Sequence, residues 1–280
     1  MTTRVVHAAT GAVRRIGPLP FAAAGVLWAT AIAVGLPWGF DSHAYWLTRG
    51  GIVYHATPVR DRYLYSPAFA QAIRPLTALP WPFFAAVWSL AAAGAYLWVT
   101  RGIGWRWRLP LLCVCLTDVA MGNIWWLFIL ACIYGSRRPA LWVIPLLTKI
   151  TPAVGLIWFA TRREWRRLLT VVVCAAVVVA ASVAISPSMW VTWIRFLRSG
   201  SGGDADPTLY PRLLVAATVT IWCARRSRAD LLPMAIILAT PVPALASLVM
   251  LTALPALRRE REIAPAPPAA ARHEVSPVAT

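Results

Sequence analysis

Isolated polar side chains in an otherwise apolar chain are the first candidates for chemistry. Asp41, Asp118 and Lys149 are charged groups in or beside apolar runs, where a charge is costly and indicates function. A carboxylate such as Asp41 can take a proton from an attacking hydroxyl. Lys149, the one lysine among 27 basic residues, can neutralise charge on a departing phosphate. With Asn123 and the motif Tyr63-Leu-Tyr65-Ser-Pro67, these residues suit the transfer of a sugar from a lipid phosphate.

The composition predicts an integral membrane protein. Of 280 residues, 59% are hydrophobic and 13% are charged, and the mean hydropathy is +0.64, which is too apolar for a water-soluble domain. The formal net charge of +17 would suggest nucleic acid as the partner of a soluble protein. Here we interpret the charge as a topology signal, and we expect the lipid bilayer and no nucleic acid as a partner.

Apolar runs separated by arginine clusters predict a polytopic, all-α membrane domain. The runs are residues 19–38, 82–100, 109–135, 139–161, 168–187, 210–224 and 231–257. The clusters are Arg4/Arg14/Arg15, Arg101/Arg106/Arg108, Arg137/Arg138, Arg162/Arg163/Arg166/Arg167, Arg225/Arg226/Arg228 and Arg258/Arg259/Arg261. All clusters are cytoplasmic only if three runs reverse, at Gly122-Asn123, Thr151-Pro152 and Pro241-Val-Pro243. This arrangement predicts about ten membrane helices with both termini inside.

The lengths of the divided runs leave an alternative open. Half-runs of about 12 residues rise only about 18 Å, less than a bilayer core of about 30 Å, so some are predicted to be tilted, paired or re-entrant. A seven-span topology keeps the long runs whole. We divide the chain into a cytoplasmic N-terminus (1–18), a membrane domain (19–257) with outer loops 40–81 and 190–210, and a disordered cytoplasmic tail (258–280).

Each candidate also has a purely structural explanation. Asp41 could be a solvated or capping residue after the first helix, and Lys149 could extend to the membrane interface. For Asp118 we favour helix packing over catalysis. The histidines and tryptophans are expected to be loop residues and membrane anchors, as for His43, His55, Trp81, Trp190 and Trp193. The five cysteines form no CxxC pair, and no histidine spacing predicts a metal site.

The ordered motifs resemble glycosyltransferase family 87. They are Asp41-Ser-His-Ala-Tyr45-Trp46, Gly51-Ile-Val-Tyr54, Tyr63-Leu-Tyr65-Ser-Pro67, Gly122-Asn123 and Lys149-Ile-Thr-Pro152. The resemblance extends from about residue 19 to residue 165. It implies a GT-C fold and inverting transfer of a hexose, typically mannose, from a polyprenyl phosphate to an envelope glycolipid or glycan. It also implies the extracytoplasmic face of a bacterial plasma membrane, without a cofactor or a nucleotide sugar.

The resemblance also assigns roles to residues. It implies that Asp41 is the general base and that Lys149 lies near the lipid phosphate. Asn123 takes the position that Gln or Asn usually holds, and the tyrosines Tyr45, Tyr63 and Tyr65 are expected to bind substrate.

The chain departs from the family pattern in its last third, which is short and lacks the expected Asn-rich motif in the second outer loop. Two alternatives to an enzyme therefore stay open at this point. One is a non-catalytic binder or transporter of a lipid-linked substrate, and the other is a degenerate family member that acts as a membrane partner.

Overall fold

The computed structural model describes residues 19–35, 37–51, 54, 61–149, 153–199, 207–241 and 245–263, which are helical and contain no strand. The helices are α1 (Leu19–Gly35), α2 (Phe40–Leu47), α3 (Pro67–Thr77), α4 (Trp81–Val99), α5 (Trp105–Met121), α6 (Trp125–Tyr134), α7 (Val143–Thr148), α8 (Gly155–Thr161), α9 (Trp165–Ile185), α10 (Pro187–Arg198), α11 (Leu209–Arg225), α12 (Leu232–Leu238) and α13 (Ala253–Ile263). Short 3-10 segments lie at Thr48–Gly50, Pro139–Trp142, Ala229–Leu231 and Leu245–Thr252. The predicted all-α class is confirmed.

Two of the described helices, α4 and α9, are long and apolar enough to cross a membrane. Much of the surface of α9 is apolar and exposed, including Leu169 at 61% and Val177 at 61%. A helix that leaves such side chains uncovered suits a lipid environment. The other helices are shorter, so the structure agrees with a membrane protein and does not confirm ten spans.

The long apolar runs are divided as the sequence predicts. The run 109–135 breaks between α5 and α6, at Gly122 and Asn123. The run 139–161 is divided between α7 and α8, although Thr151 and Pro152 themselves lie outside the described residues. The run 231–257 divides after α12, and its Pro243 also lies outside them. Helix α6 has only 10 residues, a rise of about 15 Å, because each half-run is short.

Two segments that the sequence analysis describes as outer loops contain helices. Helices α2 and α3 occupy much of 40–81, and α10 extends into 190–210. Helix α3 begins with Pro67 directly after Ser66, a favourable start because proline has no N–H to leave unpaired. Helix α10 buries the aromatic face of Trp190, Trp193 and Phe196 while its opposite face is exposed. Burial of one face, rather than overall hydrophobicity, makes these segments helical.

The tail is ordered further than the sequence predicts. Helix α13 continues to Ile263, beyond the expected boundary at residue 258. Leu257 is buried, Arg258 lies 4.0 Å from Asp230, and Glu260 lies 3.4 Å from Arg137. These contacts hold the last described turns against the bundle. Residues 1–18 and 264–280 lie outside the described part of the chain.

Arginine clusters that are distant in sequence meet at one end of the bundle, which we call the arginine end and define by Arg137, Arg162, Arg228 and Arg258. Arg162 donates to the Ser227 hydroxyl (2.9 Å) and to the Ala224 carbonyl (3.2 Å). Arg228 forms two 2.9 Å bonds to Asp230. Asn123 and Arg137 lie beyond opposite ends of α6, so the arginine end is remote from the Gly122–Asn123 turn.

Candidate functional site

Asp41 lies at the start of α2, and the backbone before it holds this helix against the end of α5. Gly39 has a φ of 71°, a conformation that favours glycine, and its N–H donates to the Ala120 carbonyl at 2.7 Å. A Cβ on Gly39 would lie 2.6 Å from the Trp81 ring. Glycine is therefore required both for the turn and for the close approach of Trp81.

A second glycine turn places Asn123 opposite Asp41. Gly122 ends α5 with a φ of 69°, and its N–H donates to the Asp118 carbonyl at 2.9 Å. A Cβ on Gly122 would lie 2.5 Å from the Ser42 Cβ. The Trp88 indole N–H donates to the Gly122 carbonyl at 2.9 Å. The two turns therefore bring α2 and the α5–α6 connection into direct contact.

Asn123 connects the predicted base to the predicted cation. Its Nδ2 donates to Asp41 Oδ2 at 2.6 Å. Its Oδ1 accepts the Ile124 N–H at 2.7 Å and the Lys149 Nζ at 3.5 Å. Because a backbone N–H must point at an oxygen, the bond from Ile124 fixes the amide orientation and directs the NH₂ group towards the carboxylate. Three segments 82 and 26 residues apart thus meet in one line. We call Asp41, Asn123 and Lys149 the site end.

Lys149 follows the last residue of α7, and its backbone N–H bonds to the Pro145 carbonyl at 3.2 Å. Its ammonium lies 4.1 Å from the centre of the Trp125 ring, a cation–π contact. The charges of Asp41 and Asp118 also act on this ammonium. The cation is held by an aromatic face and shared by two carboxylates, and Asn123 occupies the space between it and Asp41.

The environment of Asp41, in the predicted outer segment, changes its acidity. Burial raises the pKa of the Asp41 carboxyl above its ordinary value, and this is the largest effect. The Lys149 charge and the hydrogen bond from Asn123 lower the same pKa. A raised carboxyl pKa makes a better proton acceptor, as general base catalysis requires.

The three predicted substrate tyrosines form a buried cluster beside this line of polar groups. Tyr45, Tyr63 and Tyr65 are exposed by 3%, 1% and 7%. The hydroxyls of Tyr45 and Tyr65 are 3.0 Å apart, and the Tyr63 hydroxyl donates to the Ser66 carbonyl at 3.0 Å. These side chains already have partners and stand as a wall behind the carboxylate. Their predicted contact with substrate stays a prediction.

Two residues that sequence reasoning missed lie at the rim. His43 Nδ1 is 2.6 Å from Asp61 Oδ1, and both side chains are partly exposed. The His43 ring packs edge-on against Trp81 with ring centres 4.8 Å apart. No spacing signal could have found this pair, because 18 residues of an irregular segment separate its members. Among the described residues, no group of three or more His, Cys, Asp or Glu side chains could hold a metal ion.

An apolar groove of about 530 Å³ lies next to the Lys149 segment, between α7–α8 and α11. Its lining includes Leu146 and Val154 on the first side and Leu213 and Ala217 on the second. Leu146 precedes Lys149 by three residues, less than one helical turn. The groove has the chemistry to receive a hydrocarbon chain whose polar head lies near the ammonium.

Comparison with known families decides the identity at this point. The sequence model of glycosyltransferase family 87 matches residues 63–270, more than half of the chain. The chain belongs to glycosyltransferase family 87. No curated protein and no solved structure matches it. The predicted resemblance is confirmed, and the matched region contains Tyr63, Tyr65, Asn123 and Lys149 but begins after Asp41.

Family membership has two consequences. The chain is a glycosyltransferase of membranes, which favours the enzyme over the non-catalytic binder and partner that the sequence left open. A sugar donor and an acceptor are therefore its substrates. The identities of the donor, the acceptor and the catalytic residues are a separate matter, which rests on the geometry around Asn123.

Proposed function

We propose that the enzyme moves a hexose, in the leading hypothesis mannose, from a polyprenyl phosphate to a glycolipid or glycan, with Asp41 as general base. The observation that carries this proposal is the hydrogen-bonded line from Asp41 through Asn123 to Lys149. It supplies a proton acceptor and a phosphate-binding cation in one place without letting them neutralise each other directly.

The reaction follows from these positions. An acceptor hydroxyl attacks the anomeric carbon of the donor while Asp41 takes its proton. The bond between that carbon and the phosphate oxygen breaks, and the polyprenyl phosphate leaves with the electron pair. Lys149 stabilises the charge that develops on the leaving phosphate. Attack opposite the leaving group inverts the configuration at the anomeric carbon.

Asn123 has a positioning role in this mechanism. By holding Asp41 Oδ2 at 2.6 Å, it leaves the other carboxylate oxygen for the acceptor hydroxyl. The fixed orientation of its amide means that little reorganisation is needed when the acceptor arrives. Tyr45 and Tyr65 complete the wall behind the carboxylate and limit the access of water.

The apolar groove supports a lipid-linked donor. With the phosphate at Lys149, an isoprenoid chain that enters between α7–α8 and α11 would replace lipid contacts with apolar side chains. The separation of the site end from the arginine end supports an active face opposite the cytoplasm, because arginine clusters prefer the cytoplasmic side. We place this arrangement, with a GT-C-like architecture, in a bacterial plasma membrane.

The decisive experiment is Asp41→Asn, which preserves the shape of the side chain and removes the base. With equal amounts of protein in membranes, we expect transfer from a tritiated mannosyl polyprenyl phosphate to fall by about 10²-fold or more. The matched control is Glu164→Gln, the same chemical change at an ion-paired carboxylate near Arg162, for which we expect a wild-type rate. A wild-type rate in Asp41→Asn would refute the proposed base.

A further inference from the structure

The mechanism leaves one buried carboxylate without a role. Asp118 lies in the last turn of α5 and is 0% exposed. A carboxylate at such depth is costly unless its surroundings or its function compensate for it. Helix packing alone would be satisfied by an apolar side chain. The contacts of Asp118 are therefore informative.

Only one of its carboxylate oxygens has a hydrogen bond. The Tyr96 hydroxyl donates to Asp118 Oδ2 at 2.6 Å, which fixes the side chain. Asp118 Oδ1 is buried and has no hydrogen-bond partner. The contrast with the arginine end is clear, because there the buried Asp230 receives two bonds from Arg228. Asp118 has no such cation against it, so its charge acts at longer range.

The surroundings connect Asp118 to the site end in two ways. Its backbone carbonyl accepts the N–H groups of Gly122 (2.9 Å) and Asn123 (3.3 Å), which closes the turn that presents Asn123. Its carboxylate charge attracts the Lys149 ammonium and repels the Asp41 carboxylate. Asp41 on α2 and Asp118 on α5 thus compete for the same ammonium.

We propose that Asp118 is a positioning residue for Lys149: its buried charge keeps the ammonium beside Asn123 and prevents it from closing onto Asp41. Without this second carboxylate, Lys149 would pair directly with Asp41. That ion pair would occupy both the proton acceptor and the cation that the donor phosphate needs. This inference rests on the proposed function, since it assigns Asp118 to the phosphate end of the same site.

A double-mutant cycle tests the inference. Asp118→Asn keeps the size of the side chain and an oxygen for Tyr96 but removes the charge, and Lys149→Met removes the ammonium. We expect Asp118→Asn to lower kcat/KM for a tritiated mannosyl polyprenyl phosphate by about tenfold in the wild type. In the Lys149→Met background it should change the residual rate by less than about twofold, because the group through which it acts is gone.

Two further measurements separate this role from simple packing. Tyr96→Phe removes the hydrogen bond and keeps the charge, so it should alter transfer by less than about threefold. Affinity for unglycosylated polyprenyl phosphate, measured by native mass spectrometry on the same four proteins of the cycle, should show the same dependence on Lys149. Equal losses from Asp118→Asn in both backgrounds, or no loss in either, would overturn the inference.

The binding arm also separates the two proposals. If the wild type binds polyprenyl phosphate but transfers no sugar, the proposed function fails and the binding cycle alone decides the role of Asp118. If the wild type does not bind polyprenyl phosphate, the inference fails as well.

Discussion

The site end and the arginine end of the bundle hold their charges in different ways. At the arginine end, Arg137 and Glu260 form a pair with 68% and 27% of their side chains exposed, and Arg162 and Arg167 both bind Glu164 at 2.7 Å. At the site end, Asp41 and Lys149 are connected through a neutral amide. The first end contains many charges in direct contact, whereas the second contains few and keeps them apart.

The difference teaches that charge number and functional weight are separate quantities. Exposed ion pairs are screened by water and contribute about 0 to 1 kcal/mol each. Buried charges with a neutral partner retain most of their electrostatic effect on a bound substrate. The net charge of +17 therefore comes mostly from residues that orient the protein, while the reaction depends on a few groups that the charge count hides.

The largest expected effect that would break this comparison comes from Lys149→Met. The substitution keeps a long, flexible side chain and removes the ammonium from the Trp125 ring. We expect transfer to fall by about 10²-fold, because the leaving phosphate loses its cation. Initial rates with saturating acceptor measure the loss. A rate within threefold of the wild type would mean that the site end does not depend on this charge.

A smaller effect is expected from Asn123→Ala, which sharpens the role of the bridge. The rate should fall by about tenfold because Asp41 is no longer held in place. The hydrogen bond from Asn123 lowers the pKa of Asp41, so its loss raises that pKa. Since the base acts when deprotonated, the acid limb of the rate–pH profile should move to higher pH. A profile measured from pH 4 to pH 8 tests this, and an unchanged acid limb would contradict it.

Tyr45→Phe should have a modest effect on stability and little on catalysis. The hydroxyl is buried and paired with Tyr65 at 3.0 Å, so its loss should cost about 1 kcal/mol of unfolding free energy. We expect kcat to stay within about threefold of the wild type. Thermal unfolding in detergent and transfer assays measure the two effects. A raised KM for acceptor at unchanged stability would instead support the direct substrate contact expected from the sequence.

The smallest effect is expected at the arginine end. Arg137→Gln removes one cation of an exposed pair, so stability should change by about 0.5 kcal/mol or less and transfer should be unchanged. The same assays apply, with Lys149→Met as the comparison. A loss of transfer similar to that of Lys149→Met would remove the distinction between the two ends.

Sequence reasoning found the right residues more readily than their relationships. Asp41 and Lys149 were recognisable because charges are rare in this chain, and the helix break at Gly122 was recognisable because glycine interrupts an apolar run. The pairing of His43 with Asp61 gave no signal, and Asp118 was interpreted as a packing residue. Side-chain partners are set by how separate helices pack, which one-dimensional spacing does not encode.

The sequence by itself determined the all-α membrane class, the division of its long apolar runs and the family, because hydropathy, glycine, proline and motif order are local properties. Only the tertiary structure decided that Asn123 lies between Asp41 and Lys149 and that the tyrosines are a buried wall. The physical reason is the two turns at Gly39 and Gly122. Their left-handed backbone and missing Cβ atoms let α2 approach the α5–α6 turn closely enough for hydrogen bonds.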